Sequence, residues 1–133
     1  MKCALASLGF INENIQYNKN VIINTMIRCA ADTDIILFGE AFLQGFYGAT
    51  FDPAHDAQLA LSPDDAIIHD IRTAAKQHGV AVSFGFIEKD GPLFYSSQIT
   101  IGSDGIREVH HEFVDTAHLT EGKNIKEFVY EWK

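Results

Sequence analysis

The sequence predicts an α/β domain built on a mixed sheet, and three observations indicate it. Strongly apolar runs at residues 35–38 and 80–87 are typical of buried strands. Segments with helical spacing of apolar residues, at 13–31 and 62–78, stand between strand-like runs, which favours strands covered by helices. The part that follows residue 87 contains two Asp-Gly turns, which predict consecutive antiparallel strands.

The predicted element order is β-α-β-loop-α-β-β-β, followed by a last strand. Asn12 can cap the first helix, and Glu13 is then favourable in its first turn. The segment at residues 43–61 shows no period and contains glycines and scattered aromatics, so it predicts a long irregular loop of the kind that usually carries function. The predicted strands cover residues 2–8, 35–38, 80–87, 93–101, a stretch from 106 onward, and 128–132.

The second helix has clear sequence signals at both ends. Ser62 can cap it, Pro63 fits the first helical position, and Asp65 can complete a capping box. Gly79 suits the left-handed residue that follows a helix. We therefore expect the helix to end just before Gly79 and the chain to enter a buried strand at once.

Length and charge exclude several classes of protein. The 133 residues predict one domain, residues 1–133, and the net charge of −8 argues against a nucleic-acid partner, which needs clustered basic residues. Every apolar run is too short to span a membrane, and the N-terminal run reads as a strand rather than a signal peptide. The cysteines, Cys3 and Cys29, are too few for a disulfide framework, so a cytoplasmic protein with free thiols is expected.

Glu40 is the residue that most needs explanation. It follows the apolar run 35–38 directly and precedes more apolar residues, with Phe38, Phe42 and Phe46 around it. Strand ends in α/β sheets carry ligands and chemistry, and a carboxylate walled by aromatic rings would be desolvated and tuned as a general base. The alternative is a glutamate that only caps the following turn.

The stretch "DTDIILFGEAFLQGFYG" resembles the first catalytic motif of the nitrilase superfamily, the carbon–nitrogen hydrolases. The later stretch "AAKQHGVAVSFGFIEKDGPLFYSSQITIGSDG" resembles the second helix and following strands of that family, so the resemblance extends from residue 2 to about 105. It implies the N-terminal portion of an α-β-β-α sandwich and hydrolysis of a small amide or nitrile without a cofactor. It also implies a Glu-Lys-Cys triad, in which Glu40 would be the general base.

The rest of that triad is not recognisable in the sequence. No lysine occurs between Lys89 and Lys123, where the family places its catalytic lysine, and Cys3 and Cys29 read as small core residues. We therefore expect an apparently truncated domain whose open sheet edge favours a homo-oligomer or a complementing chain. An inactive relative that serves as a binding or assembly module is the alternative. An unrelated flavodoxin-like domain is a remoter one, because the sequence has no glycine-rich phosphate loop.

The histidines raise the question of a metal site. His55 lies between Asp52 and Asp56, and further histidines occur at positions 110, 111 and 118. Adjacent residues on a strand point to opposite faces, so His110 and His111 do not easily serve one ion. We expect these residues to be solvated loop and strand positions, with no bound metal.

Overall fold

The computed structural model describes residues 1–50 and 52–111, which form a five-stranded mixed sheet with helices. The strand order is β1-β2-β3-β4-β5, the same as the order along the chain. The strands are β1 (Cys3–Leu5), β2 (Ile35–Leu37), β3 (Ala81–Asp90), β4 (Leu93–Ile101) and β5 (Arg107–His111), and the helices are α1 (Ile15–Cys29), α2 (Pro53–Leu59) and α3 (Ala66–His78).

The sheet is parallel on one side and antiparallel on the other. β1, β2 and β3 are parallel, with Ile35 paired to Cys3 on one side and to Ala81 on the other. β3, β4 and β5 are antiparallel and are joined by short turns. The predicted mixed α/β sheet is therefore confirmed, because helical crossovers connect the parallel strands and hairpins connect the rest.

The hydrophobic core lies between one face of the sheet and the helices α1 and α3. The two helices pack against each other, and Lys19 of α1 bonds Asp70 of α3 at 2.6 Å. Core side chains alternate along the strands because successive residues point to opposite faces. Fully buried members of this core include Ile22, Met26, Ile36, Ile68, Ile71, Val82, Phe84 and Phe86.

The first helix begins later than predicted. Asn14, not Asn12, is its N-cap, and the Asn14 side chain accepts a hydrogen bond from the backbone N–H of Tyr17 at 3.0 Å. Glu13 is outside the helix and has a φ of 63°, a left-handed conformation that is uncommon for residues other than glycine. Asn12 instead accepts a bond from the Tyr47 N–H at 3.1 Å, so it anchors the loop after Glu40.

The start of α3 also differs from its prediction, whereas its end agrees. Asp65 is the N-cap and accepts from the Ile67 N–H at 2.9 Å. Ser62 forms a small turn by accepting from the Asp64 N–H at 3.2 Å. Gly79 has a φ of 66°, as expected for the residue that closes a helix.

The segment predicted as a long irregular loop contains a helix, so that prediction was wrong for α2 (Pro53–Leu59). Asp52 caps α2 by accepting from the Ala54 N–H at 3.0 Å, and Pro53 takes the first helical position. With seven residues the helix is too short to produce a clear hydrophobic period. The sequence signal that indicates this helix is the pair Asp52-Pro53 at its start.

β1 is shorter and more exposed than predicted. It comprises three residues, and the side chain of Cys3 is exposed rather than part of the core. Cys29 is half-buried and packs against the core, as expected. Among residues 1–50 and 52–111, β1 pairs with β2 alone. The predicted last strand at residues 128–132 lies outside the described residues.

No helix in the described part of the chain has both the length and the apolar character needed to cross a membrane.

Candidate active site

Glu40 lies just beyond the carboxyl end of β2, where the chain continues beside β3. The N–H of Phe38 donates to the Ser83 carbonyl at 2.8 Å, which extends the β2–β3 pairing past the end of β2. One residue further, the Gly39 carbonyl accepts from the Gly85 N–H at 3.1 Å. Glu40 is therefore placed by backbone bonds to a central strand and not by a free loop.

Gly85 allows the Glu40 backbone to lie directly on the sheet. A Cβ at position 85 would lie 2.3 Å from the backbone nitrogen of Ala41 and 2.7 Å from the Cα of Glu40. Side chains therefore cannot occupy this position without moving the Glu40 segment. Ala41 itself has a φ of 48°, so the chain turns sharply immediately after Glu40. Uncommon backbone conformations of this kind cluster at functional sites.

The loop that follows Glu40 is fixed by Gln44, whose side chain is fully buried. Its amide nitrogen donates to the carbonyls of Leu59 and Ile87 at 3.1 and 3.0 Å, and its amide oxygen accepts from the Ile87 N–H at 3.0 Å. The side-chain amide of Gln44 thus forms hydrogen bonds with the backbone of β3 and with that of Leu59, the last residue of α2. The loop is held rigidly, since each of these buried backbone groups has found a partner.

A second buried amide, Asn18 of α1, holds the same loop from the other side. Its side chain accepts from the Ile11 N–H and donates to the carbonyls of Ile11 and Leu43, with distances of 2.8, 2.8 and 3.1 Å. The segment between Glu40 and Gln44 is thus tied both to the sheet and to α1.

The carboxylate of Glu40 is exposed in this structure. Its Oε1 accepts a hydrogen bond from the Ser96 hydroxyl at 3.3 Å. Phe38 and Phe42 are buried, whereas Phe46 is 50% exposed. The expected desolvated, aromatic-walled carboxylate is therefore not found, because Phe38 and Phe42 pack into the core, Phe46 is half exposed and Glu40 itself is exposed.

The sheet surface beside Glu40 is polar. It is the face opposite the helices, where Ser83, Gln98 and Thr100 lie near one another. The hydroxyls of Ser83 and Thr100 are 3.0 Å apart, and the Gln98 amide nitrogen donates to Ser83 Oγ at 3.0 Å. Sequence reasoning missed Ser96, Gly85 and this polar face, although the alternation of polar residues at 96, 98 and 100 was the available signal.

Neither cysteine lies near Glu40. Cys3 pairs with Ile35, five residues before Glu40, at the opposite end of the parallel strands. Cys29 is the last residue of α1, and a crossover helix runs antiparallel to its strands. Both thiols therefore lie toward the amino ends of the strands, whereas Glu40 lies at the carboxyl ends.

His55 contacts two carboxylates. Its Nδ1 lies 3.0 Å from Asp56 Oδ1 and its Nε2 lies 3.3 Å from Glu13 Oε1. The hydrogen bond with Asp56 is the largest cause that raises the pKa of His55 above its usual 6.5, desolvation acts against it, and the charges of Glu13 and Asp56 add to the rise. His55 was expected at a solvated loop position, but it lies in α2 and is paired with two carboxylates.

His111 is also paired, at the end of β5. Its Nε2 lies 3.0 Å from Glu88 Oε2, which also accepts from the Ser97 hydroxyl at 2.6 Å. The ring stacks on Tyr95 with centroids 4.0 Å apart. His110 and His111 project to opposite faces, as predicted, because they pair with adjacent residues of β4. His118 lies outside the described residues.

Within residues 1–50 and 52–111, no group of three or more His, Cys, Asp or Glu side chains is placed to hold a metal ion. What the site offers is a carboxylate on a rigid support, beside hydroxyl and amide groups. A carboxylate is one of the side-chain groups that can act as a general acid or base.

The described residues form a mixed α/β sheet with a glutamate just beyond the end of a central parallel strand. The carbon-nitrogen hydrolase family profile matches residues 9–124 of the chain. The chain belongs to the carbon-nitrogen hydrolase family.

Similar proteins agree with this assignment. An (R)-stereoselective amidase from Pseudomonas sp. is 33% identical over 106 residues, which is 80% of this chain and 37% of the amidase. A bromoxynil-specific nitrilase from Klebsiella pneumoniae subsp. ozaenae is 32% identical over 60% of this chain and 26% of the nitrilase. The chain thus spans well under half the length of these curated relatives.

Solved structures show the same fold. An amidase from Nesterenkonia sp. superposes with a TM-score of 0.78 at 18% identity, over 93% of this chain and 49% of the amidase. A CN-hydrolase superfamily protein from Xanthomonas campestris superposes with a TM-score of 0.80 at 18% identity, and the match covers 98% of this chain and 49% of the Xanthomonas chain. The matched region is therefore one portion of a larger fold, consistent with the predicted N-terminal part.

Proposed function

We propose that this chain provides the general-base part of a carbon–nitrogen hydrolase that acts on non-peptide bonds of a small amide or nitrile. Glu40 is the base. The observation that carries the proposal is the placement of Glu40: its backbone lies on Gly85, and its carboxylate accepts a bond from Ser96. A carboxylate whose position is fixed by two neighbouring strands suits proton transfer at a defined atom.

In this proposal Glu40 acts twice. It first takes the proton of a cysteine thiol, and the thiolate attacks the amide carbon. The tetrahedral adduct collapses to a thioester when the amine leaves with the proton that Glu40 held. Glu40 then takes a proton from water, which attacks the thioester, and Glu40 returns that proton to the departing cysteine sulfur, so that a carboxylic acid and the thiol are released. A lysine stabilises the oxyanion of the tetrahedral species in both halves.

The nucleophile in this scheme comes from polypeptide other than Cys3 and Cys29. Both thiols lie at the far end of the strands from Glu40. A solved form of the Nesterenkonia amidase carries acrylamide at its active-site cysteine, which supports a cysteine nucleophile in such relatives. We propose that the cysteine and lysine are supplied by further residues of a longer protein or by a complementing chain, in the cytoplasm.

The experiment is reconstitution. The chain is mixed with a cysteine-bearing C-terminal half of the related Pseudomonas amidase, and ammonia release from a panel of simple amides and nitriles is measured. We expect no turnover by either part alone and measurable turnover by the mixture. Turnover by the chain alone that disappears in Cys3→Ala or Cys29→Ala would show that the nucleophile has been misassigned.

Glu40→Gln is expected to lower the reconstituted activity by about 10²–10⁴-fold, because general acid–base groups contribute on that order. The amide of glutamine keeps the shape but cannot take a proton. Glu108→Gln, which replaces an exposed glutamate on β5, is the matched control and should leave activity unchanged. Equal activity of the Glu40 and Glu108 variants would contradict the proposed role.

A second candidate function is a binding or assembly module without catalysis. The exposed β1 favours it, because Leu5 is 79% exposed and β1 pairs with β2 alone among the described strands. Such an edge invites a further strand. Mass determination in solution distinguishes the candidates: a stable homo-oligomer that never gains activity favours the module, whereas a monomer that gains activity on reconstitution favours the hydrolase.

A further inference from the structure

His55 joins two segments that are distant in the sequence. It lies in α2, and its two ring nitrogens face Asp56 of the same helix and Glu13, which precedes α1. The hydroxyl of Thr50 lies 3.2 Å from the His55 Nδ1 as well. The imidazole therefore bridges the start of α1 to α2, close to the loop that follows Glu40.

The Asp56 side of the bridge is fixed. The Asp56 side chain is fully buried, and its Oδ1 accepts from both the N–H and the hydroxyl of Thr50, at 2.9 and 3.1 Å. Its contact with His55 therefore changes little when the histidine changes its charge.

The Glu13 side is the part that can move. The Glu13 side chain is half exposed, and its backbone has the uncommon φ of 63°. The Glu13 N–H donates to the carbonyl of Gln44 at 2.7 Å, and Gln44 belongs to the loop that carries Glu40. A change at Glu13 is thereby transmitted to this loop through one backbone hydrogen bond.

The two contacts of His55 require two N–H donors, because carboxylate oxygens only accept. A neutral imidazole has one N–H, whereas the protonated ring has two. When His55 is neutral, one ring nitrogen presents a lone pair to a carboxylate. The exposed Glu13 is the partner that separates, because Asp56 is buried and held by Thr50.

We propose that His55 is a proton-operated latch, which ties Glu13 and the loop after Glu40 to α2 when the ring is protonated and releases Glu13 when the ring is neutral. The latch is a property of this chain's conformation and stands independently of the proposed hydrolase activity.

The pH direction follows from the charges. Glu13 and Asp56 are the charged groups that contact the ring, from the segment before α1 and from α2, and both raise the pKa of His55 above 6.5. A group whose pKa is raised by folding stabilises the folded form fully below its unfolded pKa, and this contribution is lost as the pH rises through the folded pKa. The latch is therefore closed below about pH 6.5 and opens above the raised pKa of His55.

The test combines an NMR titration of His55 with hydrogen exchange of the Glu13 and Tyr47 amides at pH 6 and pH 8.5, corrected for intrinsic exchange rates. We expect protection of both amides to be roughly two- to fivefold greater at pH 6, the size that exposed ion pairs produce. His55→Gln should remove this difference, and His69→Gln, at an exposed position of α3, should retain it.

Glu13→Gln provides an independent variant if replacement of His55 disturbs folding. It keeps the shape of the side chain and should lower the measured pKa of His55 toward 6.5 while reducing the pH dependence of Tyr47 exchange. The proposal is overturned by an unraised pKa in the unmodified chain, by equal amide protection at the two pH values, or by a His55→Gln chain that keeps the full difference.

Discussion

Gly85→Ala is expected to destabilise the chain by roughly 1–3 kcal/mol or more, the range for overpacking a well-filled site. The added methyl would lie 2.3 Å from the backbone nitrogen of Ala41 and 2.7 Å from the Cα of Glu40. Backbone cannot rotate away as a flexible side chain can, so the segment at Glu40 has to lift off β3. Urea unfolding monitored by circular dichroism measures the loss.

The matched control is Gly39→Ala, one residue before Glu40. A Cβ at position 39 meets nothing within 4 Å, so we expect a change within about 0.5 kcal/mol, as for surface substitutions. In the reconstituted enzyme, Gly85→Ala should also lower turnover, because the carboxylate is displaced. Equal stability of the two variants would mean that Glu40 does not rest on β3 as described.

Gln44→Glu is expected to have the second large effect, a loss on the order of 2–5 kcal/mol, since a buried charge would face unpaired polar groups. Glutamine and glutamate side chains have nearly the same shape, so the substitution changes charge and hydrogen bonding rather than packing. The new carboxylate still accepts from the Ile87 N–H but cannot donate to the carbonyls of Leu59 and Ile87. Thermal unfolding at neutral pH measures the effect, and acid should restore part of the stability by protonating the new carboxyl.

Gln58→Glu serves as the control for this change. Gln58 lies on the exposed side of α2 and makes one 3.3 Å bond to the Ala54 carbonyl. The same chemical substitution there adds a charge without burying it, so a small effect is expected. If both variants lost a large part of their stability, the cause would be the negative charge added to an already acidic chain. The loss of the buried Gln44 amide would then not explain the effect.

The fold was predictable where the sequence has strong local signals. The apolar runs that became β2 and β3, and Gly79 at the end of α3, follow from burial and backbone sterics alone. The α2 helix was missed because it is too short for its apolar positions to repeat. The exact helix starts at Asn14 and Asp65 were also missed, because several neighbouring residues in each case are able to cap a helix.

The candidate site was predictable in part. The apolar run before Glu40 predicted that this residue lies at a strand end. The resemblance to the carbon–nitrogen hydrolases suggested its role as a general base. Its exposure could not be foreseen, because the direction of a side chain after a strand depends on the turn at Ala41 and on contacts with β3. The partners Gly85 and Ser96 lie 45 and 56 residues away in sequence, so only tertiary structure brings them to Glu40.

The strand order has a consequence for synthesis of the chain. From β2 onward, each strand in the described region pairs with the strand made just before it. The parallel strands need their crossover helices first, whereas the hairpins of β3, β4 and β5 close through short turns at low loop-closure entropy. A nascent chain emerging from the ribosome can therefore extend the sheet in one direction, adding one strand at a time.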